Sequence, residues 1–371
     1  MKLLVFGESF SKAGVTPAFL NLIINLKKKN IEFDLLLLNN KIEWDIPEEF
    51  LVNLKAINKN IVNGKFSKLI RLIMNSFQVF WHLLSYDIIL VNGDLFELTI
   101  PTFFSKCLLR KKVIYWIHAS LSEAKYYPNI FFKLIHAHTL KHSDAIAFSS
   151  YRSVKSFCKY TNLIESDLFN HHVIYNLLTE KKISNGSIKS PFLKNNSLHL
   201  VALGRLTWEK NFALLINAIK LAKDKYDLDC ELIICGNGHE YDSLGAQISE
   251  LNLSDQIHLI GQVDNPFDYI AKSDVLISSS YDTESLPMVV GEALLCNKPV
   301  IATRTGAAEI LEYGKYGLVV DINDKEQLAH AIYKMSDPNL REYYSKLAPE
   351  ALMKFNPEKI MLQWLDLLKD L

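Results

Sequence analysis

The chain has 371 residues, 49% hydrophobic and 22% charged, a composition that excludes a disordered, fibrous or disulfide-stapled protein. Lys plus Arg number 41 and Asp plus Glu 41, so there is no global basic field to hold nucleic acid, and no nucleic-acid partner is expected. At roughly 150 residues per domain the length predicts about two domains, each with its own core.

Leu3–Phe6 opens the chain as a buried strand and meets Gly7 and Glu8 too soon to be the core of a secretion signal. Ala18–Lys28 follows as a helix with Phe19, Leu20, Leu22, Ile23, Ile24 and Leu26 on a helix-spaced face. Lys27-Lys28-Lys29 suits the negative end of its dipole. Further strands are predicted at Phe33–Leu38, Ile88–Val91, Val113–Ile117, Ala145–Phe148 and Val173–Tyr175. Their continuous apolarity fits parallel strands covered on both faces. Lys181 to Asn196 is polar and turn-rich and reads as a linker. Strands then resume at Leu198–Leu203, Glu231–Cys235, Ile257–Ile260, Val275–Ser278, Val300–Ala302 and Gly317–Val320, with helices at Phe212–Lys223 and Tyr241–Leu251. The pattern predicts an α/β protein of two Rossmann-like, doubly wound parallel sheets facing across a cleft, with domains over residues 1–180 and 197–356. A terminal helix over residues 357–371 is expected to return to the first domain. The five cysteines form no C-x-x-C pair and read as reduced, mostly buried thiols of a cytoplasmic protein, and no apolar run reaches the length of about 20 residues that spans a membrane.

In such sheets ligands bind beyond the carboxyl ends of the strands, so chemistry is sought there. Glu284 to Glu292, E-S-L-P-M-V-V-G-E, follows the strand Val275–Ser278 and a polar turn. Eight positions turn a helix by about 800°, so the two carboxylates cannot share a face along one helix. With Glu284 in the turn and Glu292 two turns inside, they reach different hydroxyl groups of one extended ligand. The same spacing fits an acidic first turn and a solvated Glu. Gly204-Arg205-Leu206 and Glu209-Lys210-Asn211 place two cations beside a helix start, where a diphosphate would lie; an exposed basic loop fits equally. Cys235-Gly236-Asn237-Gly238 permits close backbone approach to a ligand or a tight turn. Gly7 and Gly14 do not match the dinucleotide fingerprint, and no P-loop is present. His118 ends a strand at the predicted cleft edge, where it reads as a packed or hydrogen-bonded core residue or as a group facing the ligand. His136, His138 and His142 read as solvated or helix-capping residues and not as metal ligands, and Asp227-Leu228-Asp229 as a turn.

Taken together, these motifs resemble the retaining glycosyltransferases of family 4, which have the GT-B fold. The likeness is densest from Val201 to Val320: the G-R-L…E-K-N loop, G-N-G, Ile260-Gly261-Gln262-Val263, the Glu284–Glu292 element, and Pro299-Val300-Ile301-Ala302-Thr303 leading to Gly306 and Glu309. In the first half, Trp116-Ile117-His118 and Val173-Ile174-Tyr175-Asn176 resemble the family's cleft histidine and pre-linker strand. Ala13-Gly14 stands where the family often has two glycines.

The resemblance implies that Arg205 and Lys210 bind the donor diphosphate and stabilise its leaving charge. Glu292 would accept hydrogen bonds from ribose, and Glu284 from the transferred sugar, helped by main-chain amides of Ser285, Leu286 and Pro287. His118 would lie by that sugar, the Gly14 amide by the phosphates, Gly236 in the donor site, and Val263 against the base. The implied reaction moves a sugar from a nucleotide diphosphate donor, a UDP-sugar before a GDP-sugar, to a glycan or lipid-linked glycan in bacterial surface-polysaccharide synthesis, with no cofactor and no essential metal. Lys59, Lys65, Lys68 and Arg71 leading into the aromatic stretch Leu69–Leu84, with Leu108 to Lys112, fit peripheral contact with an anionic inner membrane or a core helix with a solvated basic end. A sugar-nucleotide epimerase of the same fold and a non-catalytic nucleotide-binding subunit are the competing readings.

Overall fold

The computed structural model describes residues 2–7, 9–10, 16–37, 42, 46, 50, 54–56, 79–93, 102, 106, 110–118, 130–168, 170–178, 183, 191–193 and 197–371. Two compact units divide the chain: Met1–Leu177 with Pro357–Leu371, and Leu178–Asn356.

In the first unit seven parallel strands, β1 (Leu3–Gly7), β2 (Phe33–Leu37), β3 (Leu54–Ala56), β4 (Ile88–Asn92), β5 (Lys112–Ile117), β6 (Ala145–Phe148) and β7 (His171–Val173), run in the order β3-β2-β1-β4-β5-β6-β7. Helices α1 (Thr16–Lys28), α2 (Ile130–Lys141) and α3 (Tyr151–Thr161) connect them. Ser150 caps α3 by accepting the Ser153 N–H, and Asn162 ends it in the left-handed region. Register is fixed by apolar pairs such as Val5 with Leu35 and Leu90, and β1, β4 and β6 are buried throughout. Two expectations change. β7 lies two residues before the predicted Val173–Tyr175: it is an edge strand, half-buried, and its His-His-Val carries no apolar run. β3 is a three-residue edge strand that the sequence reading missed.

The second unit has six parallel strands, β8 (Leu198–Leu203), β9 (Cys230–Cys235), β10 (Ile257–Gly261), β11 (Val275–Ser278), β12 (Val300–Thr303) and β13 (Leu318–Val320), in the order β10-β9-β8-β11-β12-β13. Its helices are α4 (Phe212–Tyr226), α5 (Tyr241–Glu250), α6 (Pro266–Lys272), α7 (Met288–Leu295), α8 (Gly306–Ile310), α9 (Lys325–Lys334) and α10 (Pro338–Ala351). Leu198, Leu200, Ala202, Leu232, Ile234 and Ile277 alternate into one core under α4 and α9, and Val201, Ile233 and Leu276 on the other face are equally buried. Both sheets are therefore doubly wound, with order reversing between β1 and β4 and between β8 and β11.

One polar group interrupts this packing. Glu231 of β9 is fully buried, accepts the Leu193 N–H on both carboxylate oxygens (2.9 and 3.0 Å), and lies 3.1 Å from His258 Nε2. Phe192 stacks on His199 at 4.2 Å. These contacts pin the end of the predicted linker to the sheet; most of Lys181–Asn196 lies outside the described residues.

α11 (Pro357–Lys369) completes the first unit. Its Trp364 is buried edge-on against Trp116 of β5, ring centroids 5.1 Å apart. Among the described residues no helix is long and apolar enough to cross a membrane. Cys230, Cys235 and Cys296 are buried and Cys158 is half-buried; Cys107 lies outside the described residues.

His136 corrects the reading of the histidine cluster. It is fully buried, its Nδ1 is 3.1 Å from the Tyr160 hydroxyl, and burial pushes its pKa down to about 4. On the same helix Leu140 is buried in the core and Ala137 packs against it. The His138 and His142 rings lie 4.3 Å apart with their planes tilted by 52°, and among the described residues no three His, Cys, Asp or Glu side chains converge on a metal position. Asp227 caps α4 in the left-handed region before β9, which makes Asp227-Leu228-Asp229 the turn it was read as.

Candidate active site

The second unit's residues of interest gather where β8 and β11 end, at the point of strand-order reversal. After β8 the chain runs through Gly204, exposed Arg205 and buried Leu206 into a single 3-10 turn, Trp208–Lys210, and Asn211 in the left-handed region starts α4. Asn211 Nδ2 donates to Asn323 Oδ1 at 2.9 Å and ties this turn to the loop after β13.

Three neighbouring loops lock onto it. Leu206 N–H donates to Asn237 O (2.9 Å) and Glu240 N–H to Leu206 O (3.1 Å). Gly236 is held at φ 150°, and a Cβ there would stand 1.8 Å from Gly204 O; one on Gly238 would stand 2.1 Å from Leu206 O. Glycine is thus demanded at both positions by the adjoining loop, the tight-turn alternative of the sequence reading. From the β11 loop, Ser279 Oγ donates to Lys210 O (2.9 Å) and Tyr281 N–H to Glu209 O (2.8 Å). Thr303, fully buried at the end of β12, donates to Ser280 O at 2.6 Å. Gly306 N–H donates to Glu284 O at 3.1 Å, and a Cβ on Gly306 would meet Ser285 O at 1.6 Å.

This bracing brings Lys210 and Glu284, 74 residues apart in sequence, into an ion pair between Nζ and Oε1, each side chain about one-fifth exposed. Glu284 Oε2 is buried and has no hydrogen-bond partner among the described residues. Arg205 stands at the rim, and although burial opposes ionisation of Glu209, the charges of Arg205 and His239 are among the influences that hold its pKa below the ordinary value. Glu284 lies in the turn before α7 and Glu292 in the second turn of that helix, whose first turn carries no acidic residue. Among the described residues no hydrogen bond or ion pair holds the Glu292 carboxyl, and burial pushes its pKa up to about 7. Ser285, Leu286 and Pro287 are buried, and no side chain caps the start of α7. One correction follows from chemistry: Pro287 has no N–H, so the donors of that stretch are Ser285 and Leu286, followed by the uncapped amides of α7. Val263 is half-exposed after β10.

His118 lies in the first unit at the end of β5. Its Nε2 is 2.8 Å from Asn92 Oδ1, its ring packs 4.2 Å from Trp116, and burial drives its pKa down to about 3, so it is neutral at physiological pH. Gly14 falls outside the described residues, as do Lys59, Lys65, Lys68 and Arg71. Ser279, Thr303 and Asn92 were missed from sequence; each acts on a backbone or ring far along the chain, and nothing local marks that.

Residues 186–351 match the family model described as glycosyl transferases group 1. An uncharacterized glycosyltransferase of Methanocaldococcus jannaschii, MJ1059, is 29% identical over 290 residues, 68% of this chain and 70% of that one. The N-acetylgalactosamine-N,N'-diacetylbacillosaminyl-diphospho-undecaprenol 4-alpha-N-acetylgalactosaminyltransferase of Campylobacter jejuni is 31% identical over 191 residues, 51% of this chain and 50% of that one. The crystal structure of Anabaena Alr3699/HepE in complex with UDP superposes over the whole of both chains with a TM-score of 0.82 at 20% identity, and its UDP-glucose complex with 0.80 at 19%. The two doubly wound parallel sheets have the GT-B fold of these structures. Over residues 186–351 the chain is similar to the group 1 glycosyl transferases, and over longer stretches to these relatives.

Proposed function

We propose that the chain transfers a hexose or N-acetylhexosamine from a UDP-sugar, in preference to a GDP-sugar, to a hydroxyl of a glycan or lipid-linked glycan in surface-polysaccharide synthesis, with retention at the anomeric carbon. The observation that carries this reading is the Lys210–Glu284 pair at the strand-order reversal, with Arg205 exposed beside it and one Glu284 oxygen unpartnered. Arg205 and Lys210 neutralise the diphosphate, Glu284 accepts from sugar hydroxyls, and Glu292 from the ribose. As the bond from the anomeric carbon to the phosphate oxygen breaks, the acceptor oxygen bonds to that carbon from the same face. Its proton passes to the departing diphosphate, whose growing charge the two cations stabilise. Glu284 is here a ligand and not a nucleophile, which sets the site apart from paired-carboxylate glycoside hydrolases. The names of the relatives support the substrate classes: one acts in diphospho-undecaprenol chemistry, and one was solved with UDP-glucose.

The first unit is proposed to bind the acceptor, with its basic, aromatic stretch against an anionic membrane. Among its described residues Trp81 and Arg110 are exposed, Lys106 and Lys112 share Asp144, and Lys111 donates to Leu84 O. Thermal shift with a panel of UDP- and GDP-sugars tests the donor site: one sugar nucleotide should stabilise the protein more than its bare nucleotide. No stabilisation by any of them would refute the donor reading, and failure to float with anionic liposomes would refute the membrane contact.

A further inference from the structure

Trp208 leaves 49% of its surface in water, although the turn that carries it is tightly held. Every carbonyl of that turn is taken. Trp208 O accepts the Asn211 N–H at 3.1 Å, Glu209 O the Tyr281 N–H at 2.8 Å, and Lys210 O the Ser279 hydroxyl at 2.9 Å. The loop after β11, which supplies two of these bonds, also supplies a second ring: half-buried Tyr281 has its centroid 5.8 Å from that of Trp208, the planes tilted by 48°. Among the described residues no hydrogen bond engages the Trp208 indole N–H or the Tyr281 hydroxyl. A water-facing indole forgoes the burial that large aromatic side chains gain, and the braced turn gives it no freedom to fold away. A 3-10 turn has three residues per revolution, so the side chains of Trp208 and Lys210 diverge by about 120°. The indole therefore stands beside the ammonium and not over it.

An aromatic face with a polar tip suits a pyranose ring: the C–H bonds of one sugar face lie on the aromatic plane, while the N–H and O–H meet its hydroxyls. Position selects which ring. The base is expected against Val263 beyond β10, two places from β8 in the order β10-β9-β8-β11, and the transferred sugar against Glu284. An acceptor must bring its hydroxyl to that sugar, and so must come beside the Lys210–Glu284 pair, where the two rings stand.

We propose that Trp208, with Tyr281 beside it, stacks on a pyranose ring of the acceptor and is a specificity-determining residue for it. The second unit thus adds a contact of its own to the acceptor. The role of that ring as acceptor rests on the glycosyltransferase reading; its stacking on Trp208 does not.

Two measurements test it. In protein labelled at the indole nitrogens, the Trp208 signal is assigned by its loss in Trp208→Phe. Methyl glucoside, methyl galactoside and methyl N-acetylglucosaminide are then titrated, with and without saturating UDP. At least one should move that signal; no movement with any of them overturns the proposal. Calorimetry with UDP reads the donor site separately. Movement by a pyranoside in a protein that binds no UDP refutes the donor reading and leaves the stacking contact standing. Second, saturation-transfer spectra of the bound pyranoside compare variants. Trp208→Ala should weaken its binding by about tenfold and Trp208→Phe should restore most of it, while affinities for UDP and UDP-glucose stay as in the wild type. Unchanged pyranoside binding in Trp208→Ala overturns the proposal. So does a loss of UDP affinity, which makes Trp208 a seat for the base or a prop of the Lys210 turn. A loss of UDP-glucose affinity alone assigns the ring to the donor's sugar and overturns the acceptor assignment.

Discussion

Glu292→Gln isolates the cost of ionising a buried carboxylate. Burial in the second turn of α7 moves the Glu292 carboxyl from an ordinary 4.5 up to about 7. At about 1.4 kcal/mol for each tenfold in proton affinity, the ionised form costs the fold roughly 3 kcal/mol; partial solvent contact of the side chain brings this to about 2–3 kcal/mol. The folded chain holds this proton more tightly than the unfolded one. The contribution is therefore fully present below about pH 4.5 and is lost as pH rises through about 7. Glutamine carries no charge at any pH. The variant should match the wild type near about pH 4 and exceed it above about pH 8 by the full amount, or about 4–10 °C in Tm for a unit of this size. Paired thermal or urea unfolding curves at the two pH values measure the gap. A gap of the same size at both, or a variant less stable at alkaline pH, would refute the assignment of the shift to burial of a charge.

Glu284→Ala should lower turnover by roughly a hundredfold or more, yet leave nucleotide binding by calorimetry unchanged or tighter, because Lys210 is released to the diphosphate. Lys210→Ala should weaken nucleotide binding by about tenfold and turnover with it, and should reduce the salt dependence of binding. Gly306→Ala places a methyl 1.6 Å from Ser285 O; the Glu284 turn must shift, so donor turnover should collapse while far-ultraviolet circular dichroism stays native. Trp364→Ala strips the partner from Trp116 and should cost about 3–5 kcal/mol in urea unfolding.

Most of the scaffold was readable because it is built from continuous apolar strands: Leu198–Leu203 and Ala145–Phe148 appear with the predicted bounds, and most others within one residue. The failures share a cause. β3 and β7 are short edge strands, where pairing on one side suffices and side chains need not be apolar. His136 looked solvated because a histidine in a helix gives no sign of which face it occupies. Glu284 and Glu292 were legible by spacing, and so was the turn-then-helix geometry separating them. Their bracing was not, since Thr303 to Ser280 O and Gly306 to Glu284 O are contacts between loops that only the folded sheet brings together. The glycines at 236 and 238 were seen, but their reason, the carbonyls of Gly204 and Leu206, was not.

The return of α11 to the first sheet also sets an order of events during synthesis. Leu178–Asn356 is contiguous and can close its core while still emerging from the ribosome, whereas Trp116 must wait for Trp364. At about 5–20 residues per second, that wait lasts on the order of 12–50 s. Throughout it β5 carries an uncovered indole beside the nascent chain. The unit begun first is finished last, and a chaperone that shields its half-built sheet would act on this protein before any substrate does.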